Sequence, residues 1–183
     1  MKHILLLLSL VILVFSCTTK TEENSKYAGY ISDLKRFQAE VDSVKEEFSK
    51  INIDSVVAIR KSADTKYGAV KKVYQTDKID TKYEKIMLLV RGQLVKKLRT
   101  VESDFMRLNN DYSLSKKKYL DLKEDLINES WDDEKAKIYF NEERNAQILL
   151  NGEMSGFISN VNSSMELAPK LNFQIDSIIA EHE

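Results

Sequence analysis

Residues 77–111 read DKIDTKYEKIMLLVRGQLVKKLRTVESDFMRLNND and carry the cleanest apolar stripe of the chain. Apolar side chains recur here every three or four residues, which places them on one face of an α-helix. The stripe comprises Ile79, Tyr83, Ile86, Val90, Leu94, Leu98, Val101, Phe105 and Leu108. We predict a helix of about eight turns, which must pack against long partners because packing supplies most of such a helix's stability. Gly92, inside the stripe, indicates a close helix crossing.

Two similar stripes precede this one. The first begins at Tyr27 and includes Leu34, Val41 and Phe48, and the second begins at Val56. Their phases differ, which predicts a turn or kink at residues 52–54 with Asp54 as the N-cap of the second helix. Another change of phase falls at residues 76–77.

The second half of the chain carries stronger break signals. The turn-like composition of residues 109–113 predicts a chain reversal, and another break is expected around residues 130–133. A last long helix then follows from about Ala136. We expect Pro169 to end or restart it, because proline lacks the N–H that a helix interior needs.

The composition indicates one helical domain. No strand-like alternation is sustained, and the chain contains 5 Gly and 1 Pro. We therefore predict an all-α fold, an elongated antiparallel helical bundle with coiled-coil character, formed by residues 27–183 as a single domain. Three very long helices and five to six shorter ones are both compatible with the breaks.

The first seventeen residues, MKHILLLLSLVILVFSC, have the layout of a secretory signal peptide. Their apolar run is shorter than the roughly 20 residues that a membrane span needs. The ending Val14-Phe15-Ser16-Cys17 resembles the lipobox of bacterial lipoproteins. This resemblance implies removal of residues 1–16 and a membrane anchor through lipid on Cys17. Residues 17–26 then form the lipidated cysteine and a flexible tether, since residues 18–26 lack any apolar side chain.

Two weaker resemblances bear on location and modification. Thr18, in place of an aspartate, favours delivery to the outer membrane, and Lys20 with the following acidic pair loosely resembles the surface-export signal of Bacteroides and Flavobacterium lipoproteins. The periplasmic face and the cell surface both remain open. Three Asp-Ser-aliphatic tripeptides resemble the O-glycosylation sequon of Bacteroides-like bacteria, and Ser55, near a predicted turn, is the candidate acceptor.

Chemistry-bearing side chains are scarce. The chain has one cysteine and two histidines, and without the leader His182 is the remaining histidine. Cys/His dyads, Ser-His-acid triads and the usual zinc ligand sets are therefore excluded, and no Gly-rich phosphate loop is present. We predict no catalytic residue, no metal, no cofactor and no enzymatic activity. A net charge of −1 argues against a nucleic-acid partner.

The region 131–147 is the one unusual pattern. Asp132 or Asp133 is expected to cap the helix that follows. Glu143, Arg144 and Gln147 fall where apolar residues would continue the stripe, and they indicate either a polar layer that fixes helix register or an open end of the bundle.

These features predict a lipid-anchored binding or scaffolding module at the outer membrane. Its partner would be another envelope or surface protein, or a glycan, with Trp131 and Tyr112 as the interface candidates because aromatic residues are enriched at binding hot spots. The alternative is a structural lipoprotein that forms homo-oligomers through its long stripes.

Overall fold

The structure, a computed structural model, describes residues 20–74 and 81–181. Over these ranges the chain contains helices and no strand, so the all-α prediction is confirmed. The elements are a 3₁₀ turn Glu22–Asn24, α1 Ala28–Ser49, α2 Ile53–Val73, α3 Thr81–Leu89, a π-helix Val90–Lys96, α4 Val101–Asn128 and α5 Asp133–Ala180.

These elements form three rods. Helices α1 and α2 make the first rod, α3, the π-helix and α4 make the second, and α5 alone makes the third. At 48 residues, α5 extends for about 72 Å and contacts every other α-helix. Two of the three rods are interrupted. The chain therefore combines the two arrangements that the sequence allowed, because it forms three long rods and two of them consist of shorter helices.

The core clusters fix the direction of each rod. Tyr27, Leu126 and Ala136 share one cluster, so the start of α1, the end of α4 and the start of α5 meet at one end of the bundle. Tyr74, Met87 and Ile178 share a cluster at the other end. The second rod therefore runs antiparallel to the other two, as predicted.

The break between α1 and α2 lies at residues 50–52, close to its predicted place. Asn52, rather than Asp54, is the N-cap, and its side-chain oxygen accepts a 3.0 Å hydrogen bond from the Ser55 N–H. Asp54 lies instead in the first turn, where its carboxylate complements the positive helix N-terminus.

The longest stripe is not one continuous α-helix. The buried residues of this segment recur every four residues, at Val90, Leu94 and Leu98. In an α-helix, side chains at this spacing move gradually around the helix axis, whereas the wider turn of a π-helix, with its i→i+5 bonds, keeps them closer to one face. Gly92 lies in this π-helix, and a Cβ atom added to it would meet nothing within 4 Å. The close crossing predicted at Gly92 is therefore wrong.

The chain reversal predicted at residues 109–113 is also wrong, because these residues lie within α4. The side chains of Asn109 and Ser113 donate hydrogen bonds to carbonyl oxygens four residues earlier, at 3.0 Å each. This back-bonding satisfies turn-forming side chains without leaving the helix. Helices α2 and α3 run in opposite directions, and the phase change predicted at residues 76–77 lies outside the described residues.

The break predicted around residues 130–133 is confirmed. Glu129 adopts the left-handed conformation at φ 52° and ends α4. Asp132 caps α5 by accepting a 2.9 Å hydrogen bond from the Lys135 N–H.

The expectation for Pro169 is wrong, since α5 continues through it to Ala180. On both sides of the proline the helix is held in the core: Ala168 and Leu171 are buried there, followed by Ile175. Tertiary packing of these side chains outweighs the hydrogen bond that Pro169 cannot donate.

The prediction of a flexible tether is wrong for residues 20–26. Lys20 pairs with Glu129 at 2.7 Å, and Glu22 pairs with Lys123 at 2.9 Å and also with Lys35. Ser25 is buried against the end of α4. The folded unit therefore includes residues 20–26, and Cys17, with the rest of residues 1–19, lies outside the described residues.

Candidate functional site: a groove between α4 and α5

The most distinctive surface of the described chain is a long groove between the antiparallel helices α4 and α5. It has two connected halves of about 310 and 350 Å³, which share Lys118, Glu143 and Ala146 as lining residues. We call it the α4–α5 groove. Its other lining residues are Arg107, Asp111, Leu114, Ser115, Asp121, Leu122, Asp125, Trp131, Tyr139, Glu142, Leu149, Leu150 and Glu153.

Two rows of side chains beside the core face create this groove. Each row repeats at alternating steps of three and four residues, so each forms a continuous face of its helix. The row on α4 is Arg107, Asp111, Leu114, Lys118, Asp121 and Asp125, and the row on α5 is Tyr139, Glu142, Ala146, Leu149 and Glu153.

The middle of the groove exposes apolar side chains to solvent. Leu114 is 54% exposed and Leu149 is 64% exposed, although they line the same half of the groove. Scattered exposed leucines need no explanation, but apolar residues gathered in a groove mark surfaces used for binding. Helix α1 packs on the other side of the same helix pair, so these leucines have no cover from within the described chain.

A buried carboxyl group lies at the centre of the groove. Glu143 is 7% exposed and lines both halves, and the Ser115 hydroxyl donates a long hydrogen bond of 3.4 Å to its Oε1. Burial raises the pKa of Glu143, because a charged carboxylate is poorly solvated there.

A polar network extends from this position through the bundle. The Gln147 side-chain amide donates to Gln38 at 3.2 Å, Gln38 donates to Asp42 at 2.8 Å, and the Tyr112 hydroxyl donates to Asp42 at 2.7 Å. Gln147 is fully buried, and its Oε1 lacks a hydrogen-bond partner. The network joins α5, α1 and α4.

The predicted polar layer is therefore present in part. Glu143 and Gln147 point inward between two core clusters rather than at an open end of the bundle. Arg144 is exposed and does not join them; its guanidinium lies 5.5 Å from the centre of the Phe37 ring. The layer's role in fixing helix register remains an interpretation.

The charge of the groove is unbalanced. Its two cations are Arg107 and Lys118, and Arg107 is already paired with Asp111 at 2.9 Å and Glu153 at 2.8 Å. Lys118 therefore faces the remaining carboxyl groups of the groove, which are those of Asp121, Asp125, Glu142 and Glu143.

The structure separates the two aromatic residues that the sequence suggested as interface candidates. Trp131 lines one end of the groove, half-buried, with its ring 4.7 Å from that of Tyr139. Tyr112 is also half-buried, but it joins α4 to α1 through Asp42 and accepts a hydrogen bond from Lys116 at 3.1 Å. Trp131 remains an interface candidate, whereas the contacts of Tyr112 lie within the bundle.

The other predicted positions are not part of the groove. Ser55 is exposed in the first turn of α2, and its glycosylation stays a prediction. Cys17 and His182 lie outside the described residues. Within residues 20–74 and 81–181, no helix is long and apolar enough to cross a membrane, and no three acidic, cysteine or histidine side chains are grouped to hold a metal ion.

Leu114 and Leu149 were not predicted as site residues, because they lie beside the core stripes rather than on them. The signal for the groove was the pair of heptad rows beside those stripes, in which Leu114 and Leu149 each stand among acidic residues. Comparison with known proteins adds no relative: no family model, curated protein or solved structure matches the chain.

Proposed function

We propose that this chain is a lipid-anchored binding module of the bacterial cell envelope, placed at the outer membrane, which holds a partner protein in the α4–α5 groove. The observation that carries the proposal is the gathering of exposed Leu114 and Leu149 beside the buried carboxyl group of Glu143. Lipid on Cys17 supplies the anchor, on the resemblance of residues 14–17 to a lipobox.

The energetics favour a partner at this surface. Burial of a leucine side chain stabilises a complex by roughly 1.5–3 kcal/mol relative to full exposure. Leu114 and Leu149 together could therefore contribute a few kcal/mol, discounted because each is already partly covered. Trp131 and Tyr139 extend the contact surface at one end of the groove, and aromatic side chains of this kind dominate many interfaces.

The docked amino-terminal segment relates the groove to the proposed anchor. Lys20 is paired with Glu129 at the end of α4, and two residues separate it from Cys17. Three residue steps extend for about 10 Å at most. Lipid on Cys17 would thus hold the Trp131 end of the groove near the membrane surface and present the groove to partners in the envelope.

Site-specific photo-crosslinking in the native host tests the binding function. A photoreactive amino acid replaces Leu149 in the groove or, as a control, Leu120, which lies on α4 outside the groove and is 49% exposed. We expect a discrete covalent adduct with one protein from position 149 and none from position 120. Equal adduct patterns from the two positions, or no adduct from either, would contradict the proposal.

The anchor has a separate test. Cys17→Ala should abolish labelling by a radioactive fatty acid and leave the unprocessed precursor in the cell. Recovery of a normally processed, lipid-free protein from this variant would show that the leader is an ordinary signal peptide.

Self-association through the long stripes is less well supported. The stripe residues of α1, α2, α4 and α5 pack against one another within one chain. Light scattering across the micromolar range should therefore report a monomer for residues 18–183, and a stable dimer or trimer would favour the structural alternative.

A further inference from the structure

The groove's shape and charge specify the kind of partner, an inference that rests on the proposed function. We infer that the α4–α5 groove binds a basic amphipathic α-helix of a partner protein, with apolar residues of that helix on Leu114 and Leu149 and its lysines or arginines facing the acidic rim.

The dimensions of the groove suit a helix. It is bounded by two antiparallel helices and follows α4 from Arg107 to Asp125, a distance of about 27 Å. Side chains of a third helix can pack into such a channel as they do in helical bundles. A helix of about 18 residues would fill it, with apolar anchors spaced three and four residues apart.

The floor of the groove matches those anchors. Leu114, Ala146, Leu149 and Leu150 present aliphatic surface in its central part. Ala146 lines both halves of the groove. Its small side chain allows the backbone of a bound helix to approach the α4–α5 pair closely.

The rim requires positive charge on the bound helix. Besides the buried Glu143, five carboxyl groups line the groove against two cations, and Arg107 is already occupied by two of those carboxylates. The five are Asp111, Asp121, Asp125, Glu142 and Glu153. An acidic or neutral helix would leave this excess uncompensated, whereas lysine and arginine side chains neutralise it while their aliphatic stems cover apolar surface.

The Trp131 end adds a second preference for cations. Trp131 and Tyr139, whose ring centroids lie 4.7 Å apart, line this end of the groove together with Asp125. An arginine guanidinium binds well over an aromatic ring next to a carboxylate.

The same charge argues against a second copy of this chain as the occupant in a groove-to-groove dimer. A two-fold axis through the groove would bring the acidic rim of one copy against the identical rim of the other. Like charges juxtaposed in this way oppose association.

Binding of two designed peptides to residues 18–183 tests the inference. Both peptides have about 18 residues with leucines at helical spacing, and lysines flank the leucines in one peptide while glutamates flank them in the other. Fluorescence anisotropy measures their affinities for the unchanged chain, for Leu114→Lys and for Leu120→Lys. The two variants are matched, because they place the same charge on one helix at leucines that are 54% and 49% exposed.

We expect the lysine peptide to bind the unchanged chain and Leu120→Lys with similar affinity, and Leu114→Lys on the order of tenfold more weakly or worse. The glutamate peptide should bind at least tenfold more weakly than the lysine peptide at low salt, and the gap should narrow in high salt. Circular dichroism of each variant confirms its fold.

The other outcomes separate this inference from the proposed function. Equal affinity of the two peptides, both lost in Leu114→Lys, would overturn the basic partner and leave a binding groove. Equal loss in both variants would show nonspecific charge attraction and overturn the inference. Absence of peptide binding alongside a discrete adduct from position 149 in cells would also overturn it, while the binding function would stand.

Discussion

The Ser25 hydroxyl donates a 2.7 Å hydrogen bond to the carbonyl oxygen of Leu126, across 101 positions of sequence. The same hydroxyl oxygen accepts the N–H of Tyr27 at 3.1 Å, and Ser25 is 5% exposed. Leu126 lies near the end of α4, where its carbonyl oxygen also accepts a 3.3 Å hydrogen bond from the capping Glu129 N–H, so Ser25 adds a second donor to this terminal carbonyl. Ser25 thus ties the amino-terminal segment to α4 and turns the predicted tether into part of the fold.

Ser25→Ala should destabilise the protein by about 1–2 kcal/mol, because the buried Tyr27 N–H loses its partner and the Leu126 carbonyl keeps only its 3.3 Å hydrogen bond from the Glu129 N–H. Chemical denaturation measures the loss, and hydrogen exchange of residues 20–27 should accelerate more than that of α5. Ser62→Ala, at an exposed position of α2, is the control and should change little. Equal stability of the two variants would contradict the docked arrangement.

Tyr112→Phe should cost about 1 kcal/mol at neutral pH, the usual contribution of one hydrogen bond. Burial raises the pKa of Asp42, but hydrogen bonds from Tyr112 and Gln38 outweigh burial and leave this pKa below its ordinary value. The stability that Asp42 contributes is therefore present above its unfolded-state pKa and is lost as pH falls through the folded-state pKa.

The Tyr112→Phe penalty should accordingly shrink in acid, as thermal melts between pH 7 and pH 3 would show. A penalty that is constant with pH would argue that the hydroxyl does not bond the ionised carboxylate. If the Tyr112→Phe variant remains folded but no longer gives the photo-crosslinked adduct at position 149 in cells, Tyr112 would instead be part of the interface.

Glu143→Gln should raise the melting temperature at pH 7. Burial places the folded-state pKa of Glu143 above its unfolded value, so the unfolded state ionises first as pH rises and folding becomes less favourable through that interval. Glutamine keeps an acceptor for the Ser115 hydroxyl without the charge. This gain in melting temperature should vanish below the unfolded-state pKa, where the Glu143 carboxyl group is protonated in both the folded and the unfolded state.

Glu142→Gln is the control, since Glu142 is the exposed neighbour of Glu143. It should leave the pH profile of stability nearly unchanged. An identical profile for the two variants would show that Glu143 is well solvated.

Asn52→Ala should destabilise the protein by about 1 kcal/mol through loss of the α2 N-cap. Asp54→Ala should cost less, because Asp54 interacts with the helix terminus through charge alone and such effects are worth about 0.3–1 kcal/mol. Urea denaturation of both variants in low and high salt separates the two effects. Salt screens the charge interaction of Asp54 with the helix terminus, so the loss of stability in Asp54→Ala should shrink in high salt. A larger loss for Asp54→Ala would reverse the assignment of the cap.

The core of the bundle could be predicted from the sequence because periodicity reports which face of a helix is buried. Leu34, Val41 and Phe48 on α1 are all at most 1% exposed, and all lie on the predicted stripe. The end of α4 was predictable for a similar reason: the phase of the stripe is lost there and an aspartate follows in position to cap α5.

The helix breaks were harder to predict because propensity is a weak force beside packing. Asn109 and Ser113 favour turns in isolation, yet in α4 their side chains bond the helix's own carbonyl groups and Lys45 donates to Asn109 at 2.8 Å. Pro169 likewise sits among buried neighbours that hold α5 together. Neither outcome can be read from local sequence, since each depends on which helix lies alongside.

The groove could have been found only in part. The heptad rows through Leu114 and Leu149 are visible in the sequence, but their meaning depends on α4 and α5 lying antiparallel with α1 on the opposite side. The predicted reversal at residues 109–113 would have split the row on α4 and hidden the groove.

Thiol labelling in native membranes tests most directly the claim that the groove is occupied by a partner. The chain has one cysteine, Cys17, whose thiol is blocked by lipid in this account, so Leu149→Cys and Leu120→Cys each introduce a single free thiol. Maleimide labelling rates are compared between isolated host membranes and purified protein. We predict that position 149 is protected in membranes and position 120 is not. Equal rates for position 149 in the two preparations would contradict the account.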